Sequence, residues 1–351
     1  MNPVVSVETF VREFTHGPEV TWVGPSPFAG GISLGFDDGS IMFSDVATGR
    51  SEGLRQQVSE AKEAINGIAA IGTSSLAVST RSDVTFIQLD DPAKDTRVVF
   101  AGGAHGVIST QSGYFVAPLG MRGLLIVKPD ASNDQEFNVI TSTKNNLYFY
   151  RVVTLRDTAG TEFLVSANRG NGVGVRRFHG EQDGRSIHTM RFEGLDVVDV
   201  CSVSSGSLSA VAISSRGEVL WLKDASKRDE PLVMQLTGIE GQVYRVLATT
   251  QHLFVLSSKA LYVWSYLVES VLVNQEFARQ SSPHVRYLEA VDMSLLNDDS
   301  LMLVMGTNTI EGFKIDDIIR DSSSLSSISK LEDFTPRWVS EDVEQIQKVA
   351  A

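Results

Sequence analysis

Residues 31–49, GISLGFDDGSIMFSDVATG, decide the fold. Apolar residues alternate with small or polar ones over 32–36 and again over 41–43, which is the pattern of strands with one buried face. An Asp-Asp-Gly turn at 37–39 separates the two runs, and a second turn ends the stretch. The segment therefore predicts a tight β-hairpin.

Looser copies of this hairpin recur along the chain at intervals of about 40 to 48 residues, close to the period of a four-stranded propeller blade. Their turns lie near Asp38, Ser82, Arg122, Gly170, Arg216, Lys259 and Thr307. A short apolar run before each hairpin suits an innermost strand. A more polar run, suited to an outer strand, follows at 97–100, 136–141, 188–192, 231–236 and 272–277.

The last repeat has no outer strand of its own after residues 310–315. Residues 4–14, VVSVETFVREF, show strand alternation before the first inner strand. We expect this segment to complete the seventh repeat, because an open ring would leave unpaired strand edges. Residues 1–317 are thus predicted to form an all-β, seven-bladed β-propeller of four-stranded antiparallel blades, closed by an N-terminal strand.

Residues 318–351 have a different composition and form a predicted tail. A serine-rich linker is expected at 322–329. Beyond it, Val339, Val343, Ile346 and Val349 fall on one helical face, with Ser340 as an N-cap. This spacing predicts a short amphipathic helix, either docked on the propeller edge or bound to a partner.

The third strand of the first repeat resembles the third strand of blades in the WD-repeat propeller family. In that family this strand ends in an apolar, any, apolar, Trp-Asp pattern, often followed by a Thr-Gly turn. Residues 41–45, IMFSD, followed by Thr48-Gly49, are similar to this pattern, with Ser44 where tryptophan is usual. Weaker versions occur at 219–221, 261–264 and 310–313, none with the Trp-Asp pair. The resemblance implies a scaffold for protein contacts that docks partners through the turns between the second and third strands.

Composition is consistent with a folded chain built from repeats. The 351 residues are 42% hydrophobic and 21% charged, which is enough apolar material for a large core. The sequence has no apolar run of 18 residues and no basic start followed by an apolar block, so neither a membrane span nor a secretory signal is predicted. The single cysteine, Cys201, is expected in the core and cannot form an intramolecular disulfide. A cytoplasmic or nuclear location is expected.

The chain is acidic, with a net charge of −13, which disfavours nonspecific binding to nucleic acid or anionic membranes. Against that background, five consecutive hairpin turns carry a cation: Arg81, Arg122, Arg169, Arg216 and Lys259. One interpretation is a partner-binding ring for an acidic peptide, a phosphorylated segment of a protein or a phosphate-bearing ligand. The other is that these are ordinary solvated turn residues.

Four charged residues fall in the predicted inner strands: Arg151, Asp199, Arg245 and Asp292. They are expected either to pair with one another or to form a small-ligand or metal site in the channel. The six histidines are scattered, so no metal ligands, cofactor site or catalytic residues are assigned. A non-enzymatic interaction scaffold, or a subunit of a larger complex, is the favoured function. The alternative is a propeller hydrolase or lyase with its site at the channel mouth.

Overall fold

The computed structural model describes residues 10–13, 18–27, 31–45, 56–58, 62–89, 96–99, 103–129, 137–141, 148–170, 172–178, 187–191, 195–203, 208–227, 229–265, 283–287, 290–296, 300–305, 309–315, 323–324, 328–330, 337–341 and 345–349. Every element within these ranges is a β-strand, so the prediction of an all-β chain is confirmed. No helix in the described ranges is long and apolar enough to cross a membrane.

The strands form seven antiparallel sheets, numbered here in chain order. Each sheet begins with an inner strand that lines a central cavity. The inner strands are β2 (Val20–Pro25), β6 (Gly67–Ile71), β10 (Ile108–Ser109), β14 (Tyr148–Arg156), β18 (Val197–Ser202), β22 (Val243–Ala248) and β26 (Ala290–Leu296).

Two hairpin strands follow each inner strand. The second strands are β3 (Gly31–Phe36), β7 (Ser75–Ser79), β11 (Phe115–Pro118), β15 (Glu162–Arg169), β19 (Ala210–Ser214), β23 (His252–Ser257) and β27 (Ser300–Met305). The third strands are β4 (Ser40–Asp45), β8 (Asp83–Gln88), β12 (Leu124–Val127), β16 (Gly172–Phe178), β20 (Glu218–Leu222), β24 (Ala260–Ser265) and β28 (Thr309–Lys314).

A fourth strand follows in the first six sheets. These strands are β5 (Gln56–Gln57), β9 (Thr96–Val99), β13 (Phe137–Thr141), β17 (Ile187–Arg191), β21 (Leu232–Leu236) and β25 (His284–Tyr287). The strand predicted at 272–277 lies outside the described residues. In sheet 7 the fourth position is taken by β1 (Phe10–Glu13), which pairs with β28 so that Phe10 faces Gly312 and Glu13 faces Thr309.

The prediction of a C-terminal helix is wrong, because the described parts of the tail are strands. They are β29 (Ser323–Ser324), β30 (Ile328–Lys330), β31 (Arg337–Glu341) and β32 (Gln345–Val349). The first lies inside the predicted serine-rich linker at 322–329, and the second begins there. A short isolated helix is marginal in water, whereas the β-branched residues at 339, 346 and 349 favour strands that find ready partners at sheet edges.

The tail strands add to the outermost strands of four sheets in reverse chain order. β29 pairs with β25, β30 with β21, β31 with β17 and β32 with β13, all antiparallel. Sheets 6, 5, 4 and 3 therefore each gain a fifth strand. We call these four strands the belt.

The core lies between neighbouring sheets. Sheets 5 and 6, for example, enclose a cluster that contains Trp221, Tyr262 and Trp264. Another cluster joins Ile310 of sheet 7 to residues of sheet 1 such as Leu34. Sheets buried on both faces need continuous apolar runs, and residues 219–222 of β20, VLWL, are such a run and are all buried.

Candidate functional site

The central cavity has a volume of about 1420 Å³ and is lined by residues of all seven inner strands. Cys201 is one of them; it is a buried, free cysteine, as predicted, and burial raises the pKa of its thiol. We call this cavity the channel.

Five of the inner strands contain a β-bulge that changes the direction of one side chain. The register slips by one residue immediately before Trp22, Arg151, Asp199, Arg245 and Asp292. A bulge leaves one residue unpaired and bends its strand, so it turns the next side chain away from the regular pleat. The recurrence at equivalent positions brings the four charged residues to the same level of neighbouring sheets.

These charges form a ladder across sheets 4 to 7. Arg151 Nε lies 4.0 Å from Asp199 Oδ1, and Arg245 Nη1 lies 3.5 Å from the same oxygen. Arg245 Nε then lies 2.8 Å from Asp292 Oδ1. The prediction that these four residues pair with one another is confirmed.

Backbone N–H groups complete the ladder. Val246 N donates to Asp199 Oδ2 at 2.8 Å, and Val23 N of sheet 1 donates to Asp292 Oδ2 at 3.3 Å. Burial opposes the charge on Arg245, but Asp292 and Asp199 outweigh burial and raise its pKa. Both carboxylates thus act as inter-sheet connectors.

An aromatic and cationic cluster lies where the inner strands begin. Tyr148 Oη and His105 Nε2 are 2.7 Å apart, and the rings of His105 and Tyr150 have centroids 4.9 Å apart. The Arg169 guanidinium lies 4.8 Å from the Tyr150 ring centroid and donates to both oxygens of Asp196, at 3.2 and 3.3 Å. Sequence reasoning missed His105, Tyr148 and Tyr150.

The electrostatics of this cluster act on His105. Burial, followed by the positive charges of Arg151, Arg169 and Arg81, lowers the pKa of His105 to about 4. The imidazole is therefore neutral at neutral pH. Arg151 and Arg169 both lie beside the Tyr150 ring, which His105 also contacts.

We expect the protein to lose stability as the pH falls from about 6.5 to about 4. In this window the unfolded chain binds a proton at His105 that the folded chain, with its lowered pKa, does not bind. Urea unfolding of the wild type and His105→Phe across this range checks the effect. The variant should have the shallower pH dependence; parallel curves would show that His105 is not responsible.

The five basic residues predicted from the sequence all lie at the junctions between second and third strands. Arg81, Arg122, Arg216 and Lys259 are exposed, whereas Arg169 is held by Asp196. Each junction lies beside the start of its inner strand, as shown by the pairs Gly67–Ser79 and Val197–Ser214. The turns therefore gather at the end of the channel where the inner strands begin, which we call the turn end.

The structure brings only some of these five residues together. Arg169 lies beside the Tyr150 ring, and the turn that carries Arg81 is joined to the segment before His105, since Ala104 N donates to Thr80 O at 3.3 Å. No contact found among the described residues joins Arg122, Arg216 or Lys259 to that cluster. The clustering of Arg81 and Arg169 around an aromatic pair was not part of the sequence prediction.

Comparison with solved structures identifies the fold as that of a WD-repeat β-propeller. The chain is similar to the β-propeller domain of Cps50 (Swd1) from Myceliophteria thermophila, at a TM-score of 0.60 and 12% identity, covering 87% of this chain and 100% of that one. It is also similar to the WD40 β-propeller domain of Doa1, at a TM-score of 0.57 and 13% identity, covering 88% of this chain and 96% of that one. For U3-55K the TM-score is 0.60 and the identity 14%, and the match covers 87% of this chain and 98% of that one.

In sequence the chain is a divergent example of this fold. No protein-family model matches it, and no curated protein matches it. The resemblance inferred from residues 41–49 is confirmed at the level of the fold.

Proposed function

We propose that this protein is a non-enzymatic interaction scaffold, or a subunit of a larger complex, that binds protein partners through the turn end of its propeller. The observation that carries the proposal is the set of exposed basic residues at four turns of an acidic chain: Arg81, Arg122, Arg216 and Lys259. Loops that are held in fixed positions by a rigid scaffold suit recognition at several points.

The proposal includes a closed ring of seven blades over residues 1–317, with the remaining residues as a tail. Three contacts support it. β1 pairs with β28 in sheet 7, Val23 donates to Asp292 across sheets 1 and 7, and Ile310 packs in the core of sheet 1. A ring closed by β1 would hold its loops rigidly.

The partner surface is proposed to be acidic or phosphorylated. Guanidinium groups bind carboxylates and phosphates through paired hydrogen bonds, and opposite charges speed association. A partner that carries negative charge would also have to overcome the long-range repulsion of a chain with net charge −13, so binding would depend on this local basic surface.

Reversing the charge of three exposed turn residues, Arg122→Glu, Arg216→Glu and Lys259→Glu, is expected to weaken partner binding about tenfold or more, since each position changes from attraction to repulsion. Affinity purification from the native host, with quantification of each co-purified protein, measures the loss.

The matched control makes the same net charge change on exposed basic residues outside these turns and outside the channel: Lys128→Glu, Arg177→Glu and Lys227→Glu. A partner lost with the turn variant and retained with the control supports the proposal. A partner recovered equally from both variants contradicts it.

A further inference from the structure

Arg151 stands at the end of the ladder and has the weakest partner in it. Its Nε is buried and has no hydrogen-bond acceptor in the described part of the chain, and its nearest carboxylate oxygen, Asp199 Oδ1, is 4.0 Å away. Asp199 already accepts from Val246 and faces Arg245. Arg151 therefore retains donor capacity that the protein does not use.

The side chain of Arg151 is open to the channel. It lines the cavity and is 25% exposed, whereas Asp199 is 2% exposed. Burial, then repulsion from Arg245, lowers the pKa of Arg151 despite the nearby carboxylates of Asp199 and Asp292. The guanidinium therefore faces the channel beside the carboxylate of Asp199, which it shares with Arg245.

Sheet 3 leaves room for this guanidinium. A Cβ added to Gly106 would lie 3.0 Å from Arg151 Nη1, and Gly106 has a φ of +115°, which strongly favours glycine. Gly67 and Ala69 of sheet 2 also line the channel, so the wall contributed by sheets 2 and 3 includes small residues.

Further groups near Arg151 suit an anion. The Arg151 and Arg169 guanidinium groups lie 5.9 and 4.8 Å from the centroid of the Tyr150 ring, and Arg169 is also paired with Asp196. His105 itself is neutral at neutral pH, and it and Tyr148 form a polar pair beside the Tyr150 ring. Two guanidinium groups beside one ring favour a dianion over a carboxylate.

We propose that Arg151 is the base of a binding site for one phosphate monoester group, entered from the turn end of the channel. The inference deepens the proposed function, because it names the charged group and the place that receives it. The same chemistry is present in a phosphorylated side chain and in a free small phosphate ester.

Calorimetric titration of the full chain with phenyl phosphate at about 150 mM salt tests the site, with acetate as the carboxylate comparison. We expect one phenyl phosphate per chain, tighter than acetate. Arg151→Gln should weaken binding about tenfold or more, because it removes a charged, fork-shaped donor. The control Arg177→Gln removes an exposed arginine outside this cluster and should change binding less than about twofold.

A second measurement uses the wild type alone, in case Arg151→Gln does not fold. Phenylglyoxal modifies accessible arginines, and mass spectrometry identifies them. Phenyl phosphate should protect Arg151 and leave Arg177 reactive. Equal modification of Arg151 with and without the ester, or equal binding by wild type and a folded Arg151→Gln, overturns the proposal.

The source of the phosphate is decided by comparing a phosphoserine peptide with O-phosphoethanolamine. Tighter binding of the peptide supports a phosphorylated segment, and equal binding supports a free ester. Normal phenyl phosphate binding by the Arg122, Arg216 and Lys259 variant, together with unchanged partner recovery, would refute the proposed partner surface and leave the Arg151 site standing.

Discussion

Asp199→Ala is expected to lower the free energy of unfolding by about 3 to 5 kcal/mol, because removing one member of a buried ion pair leaves the other charge uncompensated. Asp199 is 2% exposed and faces both Arg151 and Arg245. The substitution also removes the acceptor of the Val246 N–H, which is a buried hydrogen bond. Urea denaturation at pH 7 measures the loss.

Asp196→Ala is the matched control. Asp196 also binds an arginine, Arg169, but its side chain is 41% exposed. Water replaces much of such an interaction, so a loss below about 1 kcal/mol is expected. Similar losses for the two variants would show that the ladder does not connect the sheets as described.

Trp264→Ala is expected to lower the free energy of unfolding by about 3 to 5 kcal/mol, the usual range for truncating a fully buried tryptophan. Trp264 is fully buried in the core between sheets 5 and 6, where its ring stacks with Tyr262 at a centroid distance of 6.0 Å. Alanine would leave a cavity that the two sheets cannot close without moving together. Thermal and urea unfolding both report this change.

Trp22→Ala provides the comparison for the same change in side-chain volume. Trp22 is partly buried and lines the channel, so it has less apolar area to lose and leaves no closed cavity. A clearly smaller loss is expected. If Trp22→Ala lowered the free energy of unfolding as much as Trp264→Ala, the main core would have to include the channel wall.

Hairpin periodicity predicted the strands well because each repeat is a local unit. The outer strands predicted at 97–100 and 136–141 correspond to β9 and β13, and those at 188–192 and 231–236 correspond to β17 and β21. The tail was misread because four apolar residues fit a helical face equally well. What decides between the two is the presence of open sheet edges, which no local pattern records.

The candidate site was only partly predictable. The charges of Arg151, Asp199, Arg245 and Asp292 stand at matching points of the repeats, so their pairing followed from the need to compensate buried charge. The bulges that aim them depend on strand register, which the sequence does not display. His105 and Tyr148 come from separate parts of the chain, and only the fold brings them together.

The belt and β1 determine when the sheets can be completed during synthesis. β32 pairs with β13, a strand that lies about 200 residues earlier in the chain, and β1 must wait for β28. Pairing over such separations is slow, because a long loop must close first. A chain emerging from the ribosome therefore presents the bare outer edges of sheets 3 to 6 until β29 to β32 have been made, and the nascent protein is prone to aggregate during that interval.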